Sequence, residues 1–214
     1  MNKINMDYLP LKHRFIAAEK PDGYTLLLLH GTGGNENDLI PLSELFGKNV
    51  NILSVRGNVL ENGMPRFFRR VALGVFDEKD VEFRTHELVH FVRSTAVEQQ
   101  FDAQKVIALG FSNGANIAGA CLMLYPDLLA GAMLLRPTKP LSHIQEFKTN
   151  HQTPVFISSG ATDPTIRAAD TKKYEELLLA NGFDVTHASI PAGHHLTQKD
   201  VILAVEWFNK YFTT

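Results

Sequence analysis

The sequence predicts an α/β fold with a mostly parallel, doubly wound sheet, and three observations predict it. Short apolar runs without a polar face recur along the chain, segments of helical character fall between them, and glycine or proline punctuates the joins. A strand that is apolar on both faces belongs in a sheet covered on both sides, which calls for parallel strands joined by crossover helices.

The strand-like runs cover 24–29, 51–55, 105–110, 131–135, 154–158 and 184–190. The first ends in His30-Gly31-Thr32-Gly33-Gly34, a glycine-rich stop. A helix is expected over 81–100, long and polar on one face. A small-residue apolar helix over 113–125 stops at Pro126, because proline cannot continue the backbone ladder. A helix over 167–180 ends at Asn181-Gly182, a C-terminal signal. The last helix starts near Thr197, whose spacing to Asp200 resembles a capping box, and Val201, Ala204, Val205 and Phe208 form its apolar stripe. The pattern reads as a β-α unit repeated six times with short connections, with no repeat, low-complexity tract or linker. One domain spanning 1–214 is expected.

Composition narrows the function classes. With 214 residues, 44% of them hydrophobic, the chain can bury a core without disulfides or a structural metal. Lys and Arg number 21 against 23 Asp and Glu, so the excess positive charge of a nucleic-acid binder is missing. The single cysteine, Cys121, rules out an intramolecular disulfide framework; its apolar surroundings over 118–124 read as a buried packing thiol. The first fifteen residues carry no continuous apolar leader, and no stretch approaches the roughly 18 apolar residues of a membrane span. A soluble cytoplasmic protein is expected.

Ligands of open α/β sheets bind outside the carboxyl ends of the strands, so the segments after each strand matter most. After the third run comes Gly110-Phe111-Ser112-Asn113-Gly114, a G-x-S-x-G at a strand-to-helix transition. Such a sharp turn strains the serine backbone, needs glycines where side chains would collide, and exposes the hydroxyl. Asp163 follows the fifth strand in Gly160-Ala161-Thr162-Asp163-Pro164, and His194 and His195 follow the sixth. The order Ser112, Asp163, His194 fits a nucleophile, an orienting acid and a general base, with His195 the rival base. The backbone amides of Thr32 and Asn113 are candidate oxyanion donors. Each segment alone also has an ordinary explanation: a serine N-cap, an Asp-Pro turn, a histidine loop. Their joint placement after successive strands favours catalysis.

A competing motif, His86-Glu87-Leu88-Val89-His90, matches the H-E-x-x-H zinc signature on an expected helix. The extended pattern would need Gly at 93 and His at 96, where Arg93 and Ala96 stand. A helix between strands must also pack one face on the sheet, so a surface or half-buried helix is expected and no metal site. Segment 56–70 gathers four arginines and two phenylalanines. It is either a packed loop with internal pairs, such as Arg66 with Glu61, or a pocket wall. As a wall, Arg56, Arg66 and Phe67 would line it and favour a polar or anionic group.

The segment His30-Gly31-Thr32-Gly33-Gly34-Asn35-Glu36, the 56–70 loop, Gly110-Phe111-Ser112-Asn113-Gly114-Ala115-Asn116, Asp163-Pro164 and Gly193-His194-x-Leu196-Thr197 together resemble the bacterial phospholipase/carboxylesterase family of α/β-hydrolases. Within it they are most similar to the small hydrolases linked to quinone or copper stress. The resemblance runs from about residue 22 to the end. It implies an α/β-hydrolase fold with little or no cap, hydrolysis of small esters or thioesters without a cofactor, and the same five site residues; a homodimer also fits it. Two departures stand out: His195 replaces a usual glutamine, and the acid loop 163–167 lacks a later proline. A non-catalytic small-molecule binder on the same fold, and a zinc peptidase, are the alternatives.

Overall fold

The computed structural model describes residues 8–20, 23–72 and 74–213. Part of the segment read above as lacking an apolar leader, residues 1–7, lies outside them. In chain order the elements are β1 (His13–Ile16), β2 (Thr25–Leu29), α1 (Ile40–Ser43), β3 (Asn51–Val55), β4 (Val59–Glu61), β5 (Met64–Arg66), β6 (Arg70–Ala72), β7 (Val75–Phe76), α2 (Glu78–Gln99), β8 (Val106–Phe111), α3 (Asn113–Leu124), β9 (Gly131–Leu135), β10 (Pro154–Gly160), α4 (Ala168–Ala180), β11 (Asp184–Ile190) and α5 (Gln198–Phe212).

One seven-stranded sheet has the order β1-β3-β2-β8-β9-β10-β11. Only β1 runs antiparallel, pairing with β3; the other neighbours are parallel. Because β2, β8 and β9 are apolar on both faces, alternate residues feed two cores. Leu27 and Leu29 pack with Val81, Leu88, Ile117 and Leu178, so α2, α3 and α4 cover one face. Leu26 and Leu28 pack with Leu39, Phe46, Ala204 and Phe208, so α1 and α5 cover the other.

The six expected strands and four long helices are present with shifted ends. The regular sixfold β-α repeat is corrected in three places. Residues 136–153 connect β9 to β10 without a helix. The arginine-rich segment forms the hairpin β4–β5, turned by Asn62 and Gly63 at φ 53° and 80°, followed by a second hairpin, β6–β7. Asn-Gly suits such a turn because both positions need positive φ. The edge strand β1 was not expected; its His13-Arg14-Phe15-Ile16 is short and mostly exposed, so it carries no burial pattern. At α5, Thr197 and Asp200 form the capping box. Among the described residues no helix is long and apolar enough to cross a membrane.

The sheet register gathers the loops. Leu29 lies opposite Gly110, Phe111 opposite Leu135, Leu135 opposite Ser158, and Gly160 opposite Ile190. The strands therefore end together, and the segments carrying Thr32, Ser112, Asp163 and His194 leave the same edge.

Candidate active site

Ser112 sits at φ 52°, ψ −111° between β8 and α3, a conformation that side chains disfavour. Two constraints hold it there. Its amide donates to Leu135 O at 2.8 Å, extending the pairing of β8 with β9, and its carbonyl accepts from Asn116 N at 2.9 Å, opening the helix. The turn is possible only with glycines beside it. A Cβ on Gly114 would lie 1.9 Å from Leu29 O, and one on Gly110 would lie 2.4 Å from Gly114 O. Ser112 makes no side-chain cap bond to the helix. Its Oγ instead lies 2.8 Å from His194 Nε2.

His194 is held from its other side. Nδ1 lies 2.7 Å from Asp163 Oδ2 and 3.0 Å from Thr165 Oγ1. Asp163 Oδ1 is already occupied by the Thr165 amide (2.8 Å), the Thr165 hydroxyl (2.7 Å) and the Ile166 amide (3.1 Å), which leaves Oδ2 for the imidazole. Burial pushes the Asp163 carboxyl up, but the bonds from Thr165 and His194 outweigh it and hold it below the usual carboxylate range. An anionic Asp163 accepts a hydrogen bond from Nδ1–H, so the proton stays on Nδ1 and Nε2 carries the lone pair that faces Ser112. His195, the rival, is exposed; its backbone carbonyl bonds Arg136, and its ring lines no part of the serine cavity.

The cavity over Ser112 measures about 430 Å³ and is lined by Thr32, Asn113, Arg66, Arg70 and Phe111, among others. That is toward the small end of ligand sites, about 300–1,000 Å³. The Thr32 amide has no hydrogen-bond partner among the described residues. Arg66 Nη1 bonds Thr32 Oγ1 at 2.6 Å, and Gly33 N bonds Pro65 O at 2.9 Å, so the β4–β5 hairpin fixes this loop. Asn113 Oδ1 accepts from Phe67 N at 2.7 Å, linking the serine turn to the same hairpin.

The expected arginine wall is only partly present. Arg66 is buried and lines the cavity, and it also lies 3.3 Å from Glu61, so the pocket wall and the internal pair are both real. Arg56 is drawn away instead: Nε and Nη2 both bond Glu36, which Lys12 also approaches at 3.5 Å. Phe67 is buried against His30, ring centroids 4.8 Å apart, and lines no part of the cavity. Arg70, Phe76 and Phe111 stand there in their place.

Arg136 is the main residue that sequence reasoning missed. It follows β9 at φ 58° and is buried. Nε donates to Gly193 O at 3.1 Å and Nη2 to His195 O at 3.3 Å, the carbonyls on either side of His194. Nη1 donates to Ser158 Oγ (2.9 Å) and Asp200 Oδ1 (2.6 Å), and Nη2 to Asp200 Oδ2 (3.0 Å). Burial raises the Asp200 carboxyl, yet bonds from Arg136, Ser158 and Thr197 hold it low. The pair thus ties the start of α5 to the His194 loop. The only hint was a lone arginine after an apolar strand.

Two other constellations help by contrast. Ser159 Oγ lies 2.8 Å from His187 Nε2, and His187 Nδ1 lies 2.7 Å from Glu175 Oε2. These distances match those around Ser112, but Ser159 is buried within a regular strand, with no strained turn and no place in the serine cavity. On α2, His86 Nδ1 bonds Tyr125 OH at 2.7 Å, and buried Glu87 takes both oxygens to Arg84 at 3.0 Å. Among the described residues no group of three or more His, Cys, Asp or Glu is placed to hold a metal ion.

Comparison with known proteins agrees with the fold. Residues 12–212 match the family described as Phospholipase/Carboxylesterase. The protein called Putative hydrolase MhqD, from Bacillus subtilis (strain 168), is 45% identical over 185 residues, 86% of this chain and 92% of that one. The carboxylesterase of Bacillus cereus superposes with TM-score 0.92 at 46% identity, covering 94% of this chain and 95% of that one. The structure of YahD with malic acid superposes with TM-score 0.88 at 28% identity, covering 94% and 99%. A match over nearly the whole length, with strand ends and loops in the arrangement such hydrolases use, means that this chain belongs to the phospholipase/carboxylesterase family and is a hydrolase with the α/β-hydrolase fold.

Proposed function

We propose that this hydrolase is a single-domain, cytoplasmic serine esterase that cleaves small carboxylic esters through an acyl-enzyme, with Ser112 as nucleophile, His194 as general base and Asp163 as orienting acid. The observation that carries this is the strained Ser112, whose hydroxyl is turned from its helix to within 2.8 Å of His194 Nε2. As Ser112 Oγ bonds to the acyl carbon, its proton passes to Nε2, and the carbonyl oxygen becomes an oxyanion facing the Thr32 and Asn113 amides. The C–O bond to the leaving group then breaks, and the alcohol departs with the proton from Nε2. Water repeats the sequence: it gives a proton to Nε2, its oxygen bonds to the acyl carbon, and Ser112 leaves with that proton. Ester and water become acid and alcohol. Thioesters can follow the same path with a thiol leaving.

The test is labelling by a fluorophosphonate together with hydrolysis of p-nitrophenyl acetate. Both are expected in the wild type and absent in Ser112→Ala. Absence of both in the wild type overturns the proposal in favour of a non-catalytic binder. Activity lost to a chelator, with stoichiometric bound zinc, would favour a peptidase instead. A homodimer fits the family resemblance, and sedimentation velocity reads that directly.

A further inference from the structure

We infer that the pocket selects esters carrying a free carboxylate, recognised by Arg70 with Arg66 behind it; this rests on the esterase proposal above. The cavity wall is electrostatically one-sided. Among the described residues, Arg66 and Arg70 are, apart from His194, the only titratable side chains lining it, and no carboxylate does.

Among the described residues, a single anion, Glu61, pairs with these two cations. Glu61 Oε1 accepts from Arg70 Nε at 2.9 Å, and Oε2 stands 3.3 Å from Arg66 Nε. Arg66 aims that N–H at Phe68 O (3.2 Å), so Glu61 Oε2 receives no hydrogen bond. Two guanidiniums sharing one carboxylate leave a net positive charge on the wall. Burial and the neighbouring Arg70 charge both push Arg66 downward, and Glu61 does not make up the difference. A second anion would relieve that repulsion in a place partly shielded from water.

Donor availability points the same way. Arg66 spends Nη1 on Thr32 Oγ1 and is buried. Arg70 commits only Nε, its terminal nitrogens have no hydrogen-bond partner among the described residues, and its side chain is 27% exposed. A guanidinium edge left open toward a cavity suits the two oxygens of a carboxylate. Phe76, Phe111, Pro164 and Ile166 give the wall an apolar stretch that suits a short carbon chain between that carboxylate and the ester. The substrate class is therefore a small ester with one free carboxylate, such as a half-ester of a short dicarboxylic acid.

The experiment compares kcat/KM for mono-p-nitrophenyl glutarate with that for its neutral methyl ester, and for 4-acetoxybenzoate with that for its methyl ester. The first pair places the carboxylate on the acyl side and the second on the leaving group. The wild type is expected to favour the charged member of at least one pair by about 10- to 100-fold, the range for a hydrogen bond to a charged group. Arg70→Gln should collapse that ratio to near one, Arg70→Glu should invert it, and Arg70→Lys should restore part of it. A wild-type ratio near one in both pairs, or a ratio unmoved by Arg70→Gln, overturns the inference while leaving the esterase proposal standing. If no ester is cleaved and no fluorophosphonate is taken up, both fall.

Discussion

Replacing Arg136 by methionine should disturb the His194 loop more than the fold. The substitution keeps an unbranched chain out to about the position of Nε and removes every hydrogen bond made by the guanidinium. Two of those bonds hold Gly193 O and His195 O, and the rest join Ser158 and Asp200. Breaking one partner out of a buried ion pair costs about 3–5 kcal/mol. The lower end applies, because Asp200 keeps the Thr197 amide at 2.9 Å and the Thr197 hydroxyl at 2.8 Å. For a domain of this size about 3 kcal/mol lowers Tm by roughly 6–12 °C, from a total stability of about 5–15 kcal/mol. The protein should still fold at 25 °C. Activity should suffer separately, since a catalytic group misplaced by about 1 Å can cost about 10²-fold. Thermal unfolding and steady-state kinetics on p-nitrophenyl acetate test both parts, with the loss expected in kcat rather than KM. The double variant Arg136→Met with Asp200→Asn removes the orphaned charge, so it should regain stability but not kcat. A single variant with kcat within about threefold of wild type would refute the positioning role of Arg136.

Further outcomes follow from the same geometry. His194→Ala should lose at least roughly 10³ in kcat while His195→Ala loses far less, because only the first imidazole faces Ser112; comparable losses would contradict this. Ser159→Ala should keep esterase activity, since the Ser159–His187–Glu175 row lies apart from the serine cavity. Burial pushes the Cys121 thiol up to about 12, so a thiol reagent should label the protein only after denaturation. Burial also lowers His30, whose Nε2 accepts the Gly57 amide at 3.1 Å. Its folded state binds fewer protons than its unfolded state, so this stability is present above about pH 6.5 and is lost as pH falls. The depressed Asp163 and Asp200 add a loss of the same sign below about pH 4. His143, raised by its bond to Glu78, acts in the opposite sense. The check is therefore Tm against pH for wild type and His30→Gln: the variant should lose the decline between pH 7 and 5, and parallel curves would contradict it.

Legibility in the sequence followed the range of the interactions. The apolar runs of β2, β8 and β9 were plain because each strand is buried on both faces. The turn at Ser112 was plain because its requirements, two glycines around a serine, lie within five residues. By contrast β1 is short, exposed and at the edge, so nothing in its residues distinguishes it from loop. The hairpin β4–β5 has a local marker in Asn62-Gly63, but its strands are three residues each, too short to show an alternating pattern.

What the sequence by itself determined is therefore the local chemistry: strands that must be covered, a helix cap at Thr197, and a serine turn that only glycine neighbours permit. Tertiary structure decided which partners these groups meet. It turned His194 rather than His195 toward Ser112, sent Arg56 to Glu36, left Arg70 open to the cavity, and set Arg136 across from Asp200, 64 residues away. The reason is physical. A turn or a cap is satisfied by atoms a few residues apart, whereas a buried charge must find its partner wherever the sheet register delivers one.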